Sequence, residues 1–547
     1  MSFFDDASLV MIPSGYKTSK VYSVKPTDGT GDLAFTRSND TATRVGSDGL
    51  IEKVRTNLIL QSETFNNASW TKDSATITAN TTTAPDGTTT ADTLTISDSQ
   101  YIYQSITLTA GVSYTISLYV RVSSGTNQFK FNTFGSSNTF ISSTQTATTS
   151  WQRFSFTFTA VGSGSTAIYP LIVDGLAGGS FFIWGAQVET TDFGATPYIA
   201  TTTAAVSVGP VANVPRLDYL NSSCPRLLLE PQRSNLITFS DGLVVAQAFG
   251  ATLTKNQITS PDGYVNASLL TPLGGAAGIT LATASLSGNY TISGYLKGTV
   301  AGQKVQAFGD LQGVIATFTL TTSWARYTAT FNSTNATGQS IYFLSGSYFT
   351  PSENNPFYVY GAQLEAGAYA TSYIPTLGAA VTRGADAASK TGISSLIGQT
   401  EGTLFVDFVP NGDSQHRFNI AQAGSSNNWI FFSMPEGSNG NGRVYIRTNS
   451  TTWVDNGLGL VGAFVSGQRY KVALAYKSGS WAIYINGVLK NSGTDTFTAP
   501  SIPIDGFYPT GTGPASGEQV QVTATGLNQA ILFPTRLSNA DLAALTA

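Results

Sequence analysis

A single histidine, His416, and 32 acidic residues limit the reactions this 547-residue chain could run. Cleaving a glycosidic bond takes two carboxyl groups about 5 Å apart for retention, or roughly 6.5–9.5 Å for inversion. "EGTLFVDFVP" offers Glu401 and Asp407 on one strand. Their even spacing puts them on one face but about 20 Å apart at the rise of a β-strand. Glu436 and Asp455 stand in loop-like sequence with no partner signal. No G-x-S-x-G elbow occurs, and His416 sits beside Arg417 with no nucleophile motif nearby, as a surface or strand histidine would. No catalytic residue is therefore assigned, although carboxylates assembled from different strands remain an open route. Sugar binding asks for less: aromatic faces to stack on and a few amides or carboxylates for hydroxyls. Trp429, Tyr445 and Trp453, in or beside loops of the last 150 residues, are the candidates for it. For the two tryptophans, partial burial weighs equally with ligand contact. Trp481 alternates with Ile483 and Ile485 and is expected in the core.

The rest of the composition narrows the field further. One cysteine, Cys224, excludes a disulfide framework and a Cys-based zinc cluster, and one histidine excludes His-rich metal sites. No cofactor is implied. Calcium is the ion that loop Asp residues would suit, but no D-x-D-x-D loop occurs, so a metal site is left unassigned. A net charge of −4 gives no footprint for nucleic acid or anionic membrane. No run of 18 apolar residues spans a membrane, and "MSFFDDASLV" lacks the basic start of a signal peptide. Charged residues are only 11%, whereas Thr, Ser, Asn and Gly abound, a balance that suits strands and turns.

Those strands fall into a repeat. "NLILQS" at 57 returns as "NLITFS" at 235, "PDG" at 85 returns at 261, and "YTISLYV" at 114 returns as "YTISGYL" at 290. "TSWQRFSFTF" at 149 returns as "TSWARYTATF" at 322, and "WGAQVE" at 184 returns as "YGAQLE" at 360. Anchors in constant order with small drifts mean one module present twice, at 57–200 and 235–376. Period-two runs between Gly, Ser and Asn clusters make each copy a β-sandwich. Trp151 and Trp324 occupy equivalent positions before strands and read as scaffold.

Strict alternation along the shared phrase sends Phe182, Trp184, Ala186 and Val188 to the core. Phe181, Ile183, Gly185, Gln187 and Glu189 then face the other way, as do Phe357, Val359, Gly361, Gln363 and Glu365 in the second copy. The Gln–Glu pair is expected to hold loop backbone, with a calcium or sugar contact as the sharper alternative.

From 398 the pattern changes to strands at short spacing. Asn486-Gly487 signals a type I′ hairpin, and Ser538 with Asp541 signals a capping box on a last short helix. "VALAYKSGSWAIYINGVL" with the closing "ILFPTRLSNADLAALT" resembles the concanavalin A-like (laminin-G-like) lectin domain. The two repeats resemble carbohydrate-binding-type jelly-roll modules. The chain is thus expected to be all-β and multidomain: two tandem jelly rolls at 57–200 and 235–376, then a concanavalin A-like sandwich at 398–547.

The remaining pieces are an N-terminal segment 1–56, a connector 201–234 and a linker 377–397. The first cannot bury much surface alone and is expected to order against the first module, a neighbouring subunit or a larger particle. "PRLLLEPQRSN", with Pro near both ends of an apolar run, suits a stiff extended connector. Residues 8–54 and 214–237, with "YIPTLGAAVTRGAD" at 373–386, resemble segments that recur in bacteriophage virion proteins. That resemblance implies a fibre, appendage or decoration protein located on the virion and made in host cytoplasm. Its partners would be other virion proteins, through the N-terminal segment, and surface glycans. A homotrimer is the expected assembly, by analogy with fibres. The alternatives are a polysaccharide depolymerase and a purely architectural component.

Overall fold

In the computed structural model, residues 2–244, 247–334, 338–349, 353–411, 416–436, 441–457, 465–509 and 525–547 are described. The chain is all-β and multidomain. Its helices are few and short, as at Phe3–Asp6, Ser394–Leu396 (3₁₀) and Asn539–Thr546. The capping box forms: Ser538 Oγ accepts from Asp541 N at 3.2 Å and donates to its carboxylate at 2.6 Å. The hairpin forms too, with Asn486 and Gly487 both at positive φ (48° and 79°), as a type I′ turn requires.

The repeat is visible as identical strand order. In the first copy one sheet runs Gln152–Thr159, Ser113–Arg121, Gly179–Glu189, Ala91–Ile96, Thr76–Thr82. In the second the matching sheet runs Ala325–Ser333, Gly288–Gly298, Phe357–Ala366, Val265–Pro272, Ala251–Thr259. Each packs on a second sheet. Leu94, Ile116 and Ile183 meet Ile102, Phe131 and Ile168 in the first core, while Leu270, Ile292 and Leu364 meet Ile279, Val305 and Phe343 in the second.

The strand that closes each module departs from strict alternation. Phe181 and Ile183 lie in the core together with Ala186 and Val188, so the side chains change phase between 183 and 186. The cause is a β-bulge. Ser117 pairs with Gln187 but Tyr119 pairs with Trp184, leaving two residues against one, and Gly185 takes φ +65°. The second copy does the same: Ser293 pairs with Gln363, Tyr295 with Tyr360, and Gly361 has φ +59°. Phe182 and Trp184, expected in the core, are thereby turned to the outer side. A side chain at Gly361 would also meet Tyr295 at 3.2 Å and Tyr373 at 3.4 Å, so the position needs glycine twice over.

The third unit packs an eight-stranded sheet on a five-stranded one. The five strands run Thr451–Gly457, Asn441–Thr448, Trp429–Glu436, His416–Ala421, Gly506–Tyr508. The larger sheet contains Glu401–Pro410, Tyr470–Lys477, Trp481–Ile485 and Thr525–Phe533, and also strands from elsewhere in the chain. Leu9–Met11 pairs with Ala530–Leu532, and Leu227–Leu229 pairs with Thr525–Leu527 on the same side of that strand. The first part of the N-terminal segment therefore orders against the third unit, while Thr43, Ile51 and Lys53 bind the second module through Tyr373, Pro261 and Asp262. The apolar run of the connector is a buried sheet strand hairpinned to Arg216–Asp218, where the proline pattern suggested a spacer. Trp481 lies in this core, 1% exposed.

The three segments outside the modules also meet in a buried ion cluster. Arg216 from the connector pairs with Glu230 at 2.7 Å and with Asp386 of the linker. Arg37 of the N-terminal segment pairs with Asp386 at 3.1 Å, and Arg383 with Glu230 at 2.9 Å. All five side chains are fully buried. Burial alone would raise the Glu230 carboxyl, but Arg383 and Arg216 bring it down to about 2. Ser372, in the exit loop of the second module, donates to Glu230 through its amide at 2.7 Å and its hydroxyl at 2.6 Å. The module is thus tied directly to the cluster.

Candidate functional site

The Gln–Glu pairs of the two modules are the first place to look for chemistry, and the polar side chains there are matched by protein partners. Gln363 donates to Glu365 at 2.6 Å and accepts from the Ile374 amide at 2.7 Å. Glu365 accepts from the amide and hydroxyl of Thr371 at 2.8 and 2.7 Å. Asn235 donates to the carbonyls of Ala362 and Ile374 and accepts from the amides of Ile237 and Leu364. Gln187, Glu189, Thr196, Ile199 and Asn57 repeat this arrangement in the first copy. With Gln363 and Glu365 both fully buried, these groups fasten the exit loop to the last strand and have no capacity left for a ligand. Trp151 and Trp324 likewise donate to equivalent carbonyls, of Thr83 and Thr259.

The candidate carboxylates are separately occupied. Asp407 takes Arg469 at 2.8 Å and Asn528 at 2.9 Å, and Glu401 takes Lys477 at 3.3 Å. Asp455 lies on a strand, not in a loop, held by Arg443 at 2.6 and 2.7 Å. The side chain of Glu436 lies outside those described. His416 is a buried strand residue whose Nδ1 lies 2.7 Å from Thr525 Oγ1, so a surface histidine is ruled out. No group of three or more His, Cys, Asp or Glu side chains gathers in metal-binding geometry among the described residues.

The outer face of the five-stranded sheet is different. Alternation sends Phe418, Ile420, Ile430, Phe432, Val444 and Ile446 into the core. Their neighbours Arg417, Asn419, Ala421, Trp429, Phe431, Ser433, Arg443, Tyr445 and Arg447 fall on the opposite side. They stand in cross-strand rungs: Asn419–Phe431–Tyr445 and Ala421–Trp429–Arg447. Trp429 and Phe431 are 4.8 Å apart between ring centroids, and Phe431 stacks on Tyr445 at 4.8 Å. Arg417 lies over Phe431 at 4.4 Å and over Trp429 at 5.0 Å.

Sequence reasoning placed Trp429 and Tyr445 in or beside loops. Both are within strands and nearly buried, at 5% and 8% exposure, in one cluster with Phe431 and Tyr508. Trp453 does not join them. It stands on the next strand at a register shift, packs partly on the third core and donates to Thr448 at 2.9 Å. Asn419, Ser433 and Arg447 were missed. The signal that would have found them is period-two alternation counted outward from Trp429 through "NWIFFSM", "HRFNIA" and "GRVYIRT".

Among the described residues, several polar atoms on this face are buried without a partner: Trp429 Nε1, Asn419 Oδ1, Ser433 Oγ and Arg447 Nε. A buried polar group left unpaired costs about 1–3 kcal/mol. Four such atoms stand on one sheet face among aromatic rings, each with almost no exposure to solvent.

No family model and no curated protein matches the chain. Among solved structures, part of it is similar to the CBM40 of Ruminococcus gnavus IT-sialidase, at 12% identity and a TM-score of 0.23, covering 28% of this chain and 86% of that one. Another likeness is to domain 4 of AbnA, a GH43 extracellular arabinanase from Geobacillus stearothermophilus, at 23% identity and a TM-score of 0.24, over 33% and 81%. A third is to a SAP-like pentraxin from Limulus polyphemus, at 16% identity and a TM-score of 0.23, over 27% and 70%. Each likeness spans a third of this chain or less.

Proposed function

We propose that this chain is a non-catalytic, glycan-binding component of a bacteriophage particle. The outer face of its terminal five-stranded sheet is the sugar-contacting surface. The observation that carries the binding role is the set of unpaired buried polar atoms at Trp429, Asn419 and Ser433 beside stacked rings. A sugar presents hydroxyls that both donate and accept, next to apolar C–H faces, which is the complement of such a surface. The non-catalytic reading is supported by the carboxylates: Glu401, Asp407 and Asp455 are each engaged by a cation.

The particle role rests on the resemblance of residues 8–54 and 214–237 to recurring virion segments. The N-terminal segment, with Phe4, Ile12 and Tyr22 exposed, is the proposed contact with other virion proteins, in a homotrimer.

The test is a glycan array probed with the full chain and with Asn419→Ala and Trp429→Phe, which remove polar atoms but leave an aromatic ring at 429. Binding by the wild type and its loss in both variants, each still folding cooperatively, is the expected result. No binding to any glycan would reduce the chain to architecture. New reducing ends on incubation with host capsular polysaccharide would make it a depolymerase. Immunogold or cryo-electron microscopy of intact virions checks the location.

A further inference from the structure

A cleft of about 680 Å³ lies apart from the terminal sheet face, where the N-terminal segment, the connector and the second module meet. Small-molecule sites measure about 300–1,000 Å³ and favour such junctions. The hairpin of Thr43–Val45 and Ile51–Lys53 that forms one wall is pinned on both flanks. The Val45 amide donates to Asp218 at 2.8 Å, and the Ile51 amide donates to the Pro261 carbonyl at 2.9 Å. Lys53 adds ion pairs to Asp241 and Asp262, both at 2.7 Å. The cleft is therefore held open by the fold itself.

The repeat shows which wall residue is special to this place. Both modules carry a Pro-Asp-Gly turn, followed by Thr88 in the first copy and Tyr264 in the second. The amide of each closes its turn onto the Asp, at 2.9 and 3.1 Å, so the turn itself does not ask for a tyrosine. A Cβ on Gly87 would meet open space, whereas one on Gly263 would meet Leu50 at 2.8 Å, because the hairpin lies against the second turn. Tyr264 stacks on Phe193 at 5.1 Å and, with Tyr16 and Tyr219, lines the cleft with half-buried phenol rings.

The polar groups beside these rings are open to solvent. Glu52, with its side chain 37% exposed, gives one oxygen to Arg44 at 2.7 Å, and exposed Asp48 gives one to the Leu50 amide at 3.0 Å. The second oxygen of each has no protein partner among the described residues. Arg55 donates through Nη1 to Thr196 Oγ1 and the Pro197 carbonyl, and its other nitrogens are accessible. The lining charges cancel, with Arg44, Lys53 and Arg55 set against Asp48, Glu52 and Asp262. Apolar rings, carboxylate acceptors and guanidinium donors without net charge complement a neutral polyol better than an ion. We infer that this cleft is a second glycan site, taking a neutral oligosaccharide against Tyr219 and Tyr264 with its hydroxyls on Asp48, Glu52 and Arg55. It goes beyond the reading above and does not depend on the terminal sheet face.

The test is titration calorimetry of the full chain with lactose, cellotriose and maltotriose, and with sialyllactose as the acidic comparison. The wild type is expected to bind at least one neutral probe. Ser47→Trp, at an exposed turn residue on the rim, fills the cleft and should weaken that binding at least about tenfold. Tyr264→Thr, which installs the first copy's residue, should weaken it too, and both variants should still unfold cooperatively. If no neutral probe binds, or both variants keep wild-type affinity, the cleft site falls whatever the terminal face does. Loss of that binding in Trp429→Phe but in neither cleft variant would move it to the terminal face. If sialyllactose binds more tightly than every neutral probe and Ser47→Trp abolishes that binding, the neutral class falls and the cleft stands.

Discussion

Two polar regions of this molecule are equally shielded from water and otherwise opposite. Where the second module closes, Gln363, Glu365, Thr371 and Asn235 answer one another's donors and acceptors, and Arg383 extends the network from Thr371 to Glu230, with only the Nε atoms of Arg383 and its neighbour Arg216 left unpaired among these side chains. On the terminal sheet face, Asn419, Trp429 and Ser433 keep polar atoms that no described residue answers. Burial by itself therefore says little about function. The pairing does: a closed network is scaffold, and an open one under aromatic rings is an expectation of something that arrives.

The largest effect should come from breaking the closed side at its ionic centre. Arg216→Met removes the cation shared by Glu230 and Asp386 and leaves both carboxylates buried among fewer charges. Losing one partner of a buried network costs about 3–5 kcal/mol, measurable as a shift in the denaturant midpoint. If the variant lost less than about 1 kcal/mol, the cluster would not be holding the three segments together.

Acid probes the same centre without mutation. Glu230 has an ordinary value of 4.5 and is brought to about 2 in the fold. A carboxyl depressed on folding stabilises fully above its unfolded value, and that contribution fades as pH falls from about 4.5 toward 2. About 3 kcal/mol should be lost across that window, and the melting temperature should fall with it. Glu230→Gln should flatten the profile there; an unchanged slope would assign the acid sensitivity elsewhere. Among the described residues the open face carries no buried carboxylate, so glycan affinity should respond less over the upper part of this range.

The repeat, the sandwich class, the hairpin at Asn486-Gly487 and the cap at Ser538 are legible in the sequence because each is a local rule repeated or a short signal undisturbed by its surroundings. The face of the closing strand is not, because one glycine at positive φ shifts the phase, and simple alternation cannot see a bulge. Leu9–Met11 and Leu227–Leu229 entering the terminal sheet were also illegible. Pairing across some 300 to 520 residues of chain is a tertiary fact with no local trace. The site was half legible: Trp429 and Tyr445 stood out as aromatic residues, whereas Asn419 and Ser433 matter only through what the fold leaves unpaired. Gly361→Ala tests the bulge, and its left-handed backbone and crowded tyrosines predict a loss of about 1–2 kcal/mol.

The smallest effects give the sharpest contrast, since they delete a single hydroxyl on each side. Thr371→Val takes one donor from Glu365 and one acceptor from Arg383, which should cost about 1–2 kcal/mol by chemical denaturation and leave glycan binding untouched. Ser433→Ala removes an oxygen with no protein partner among the described residues, so stability should stay within about 0.5 kcal/mol of wild type or rise slightly. Its cost should appear only in the bound state, as weaker glycan affinity. A Ser433→Ala variant that lost as much stability as Thr371→Val would mean that this hydroxyl is satisfied in the free protein. The distinction between a closed network and an open one would then no longer separate scaffold from site.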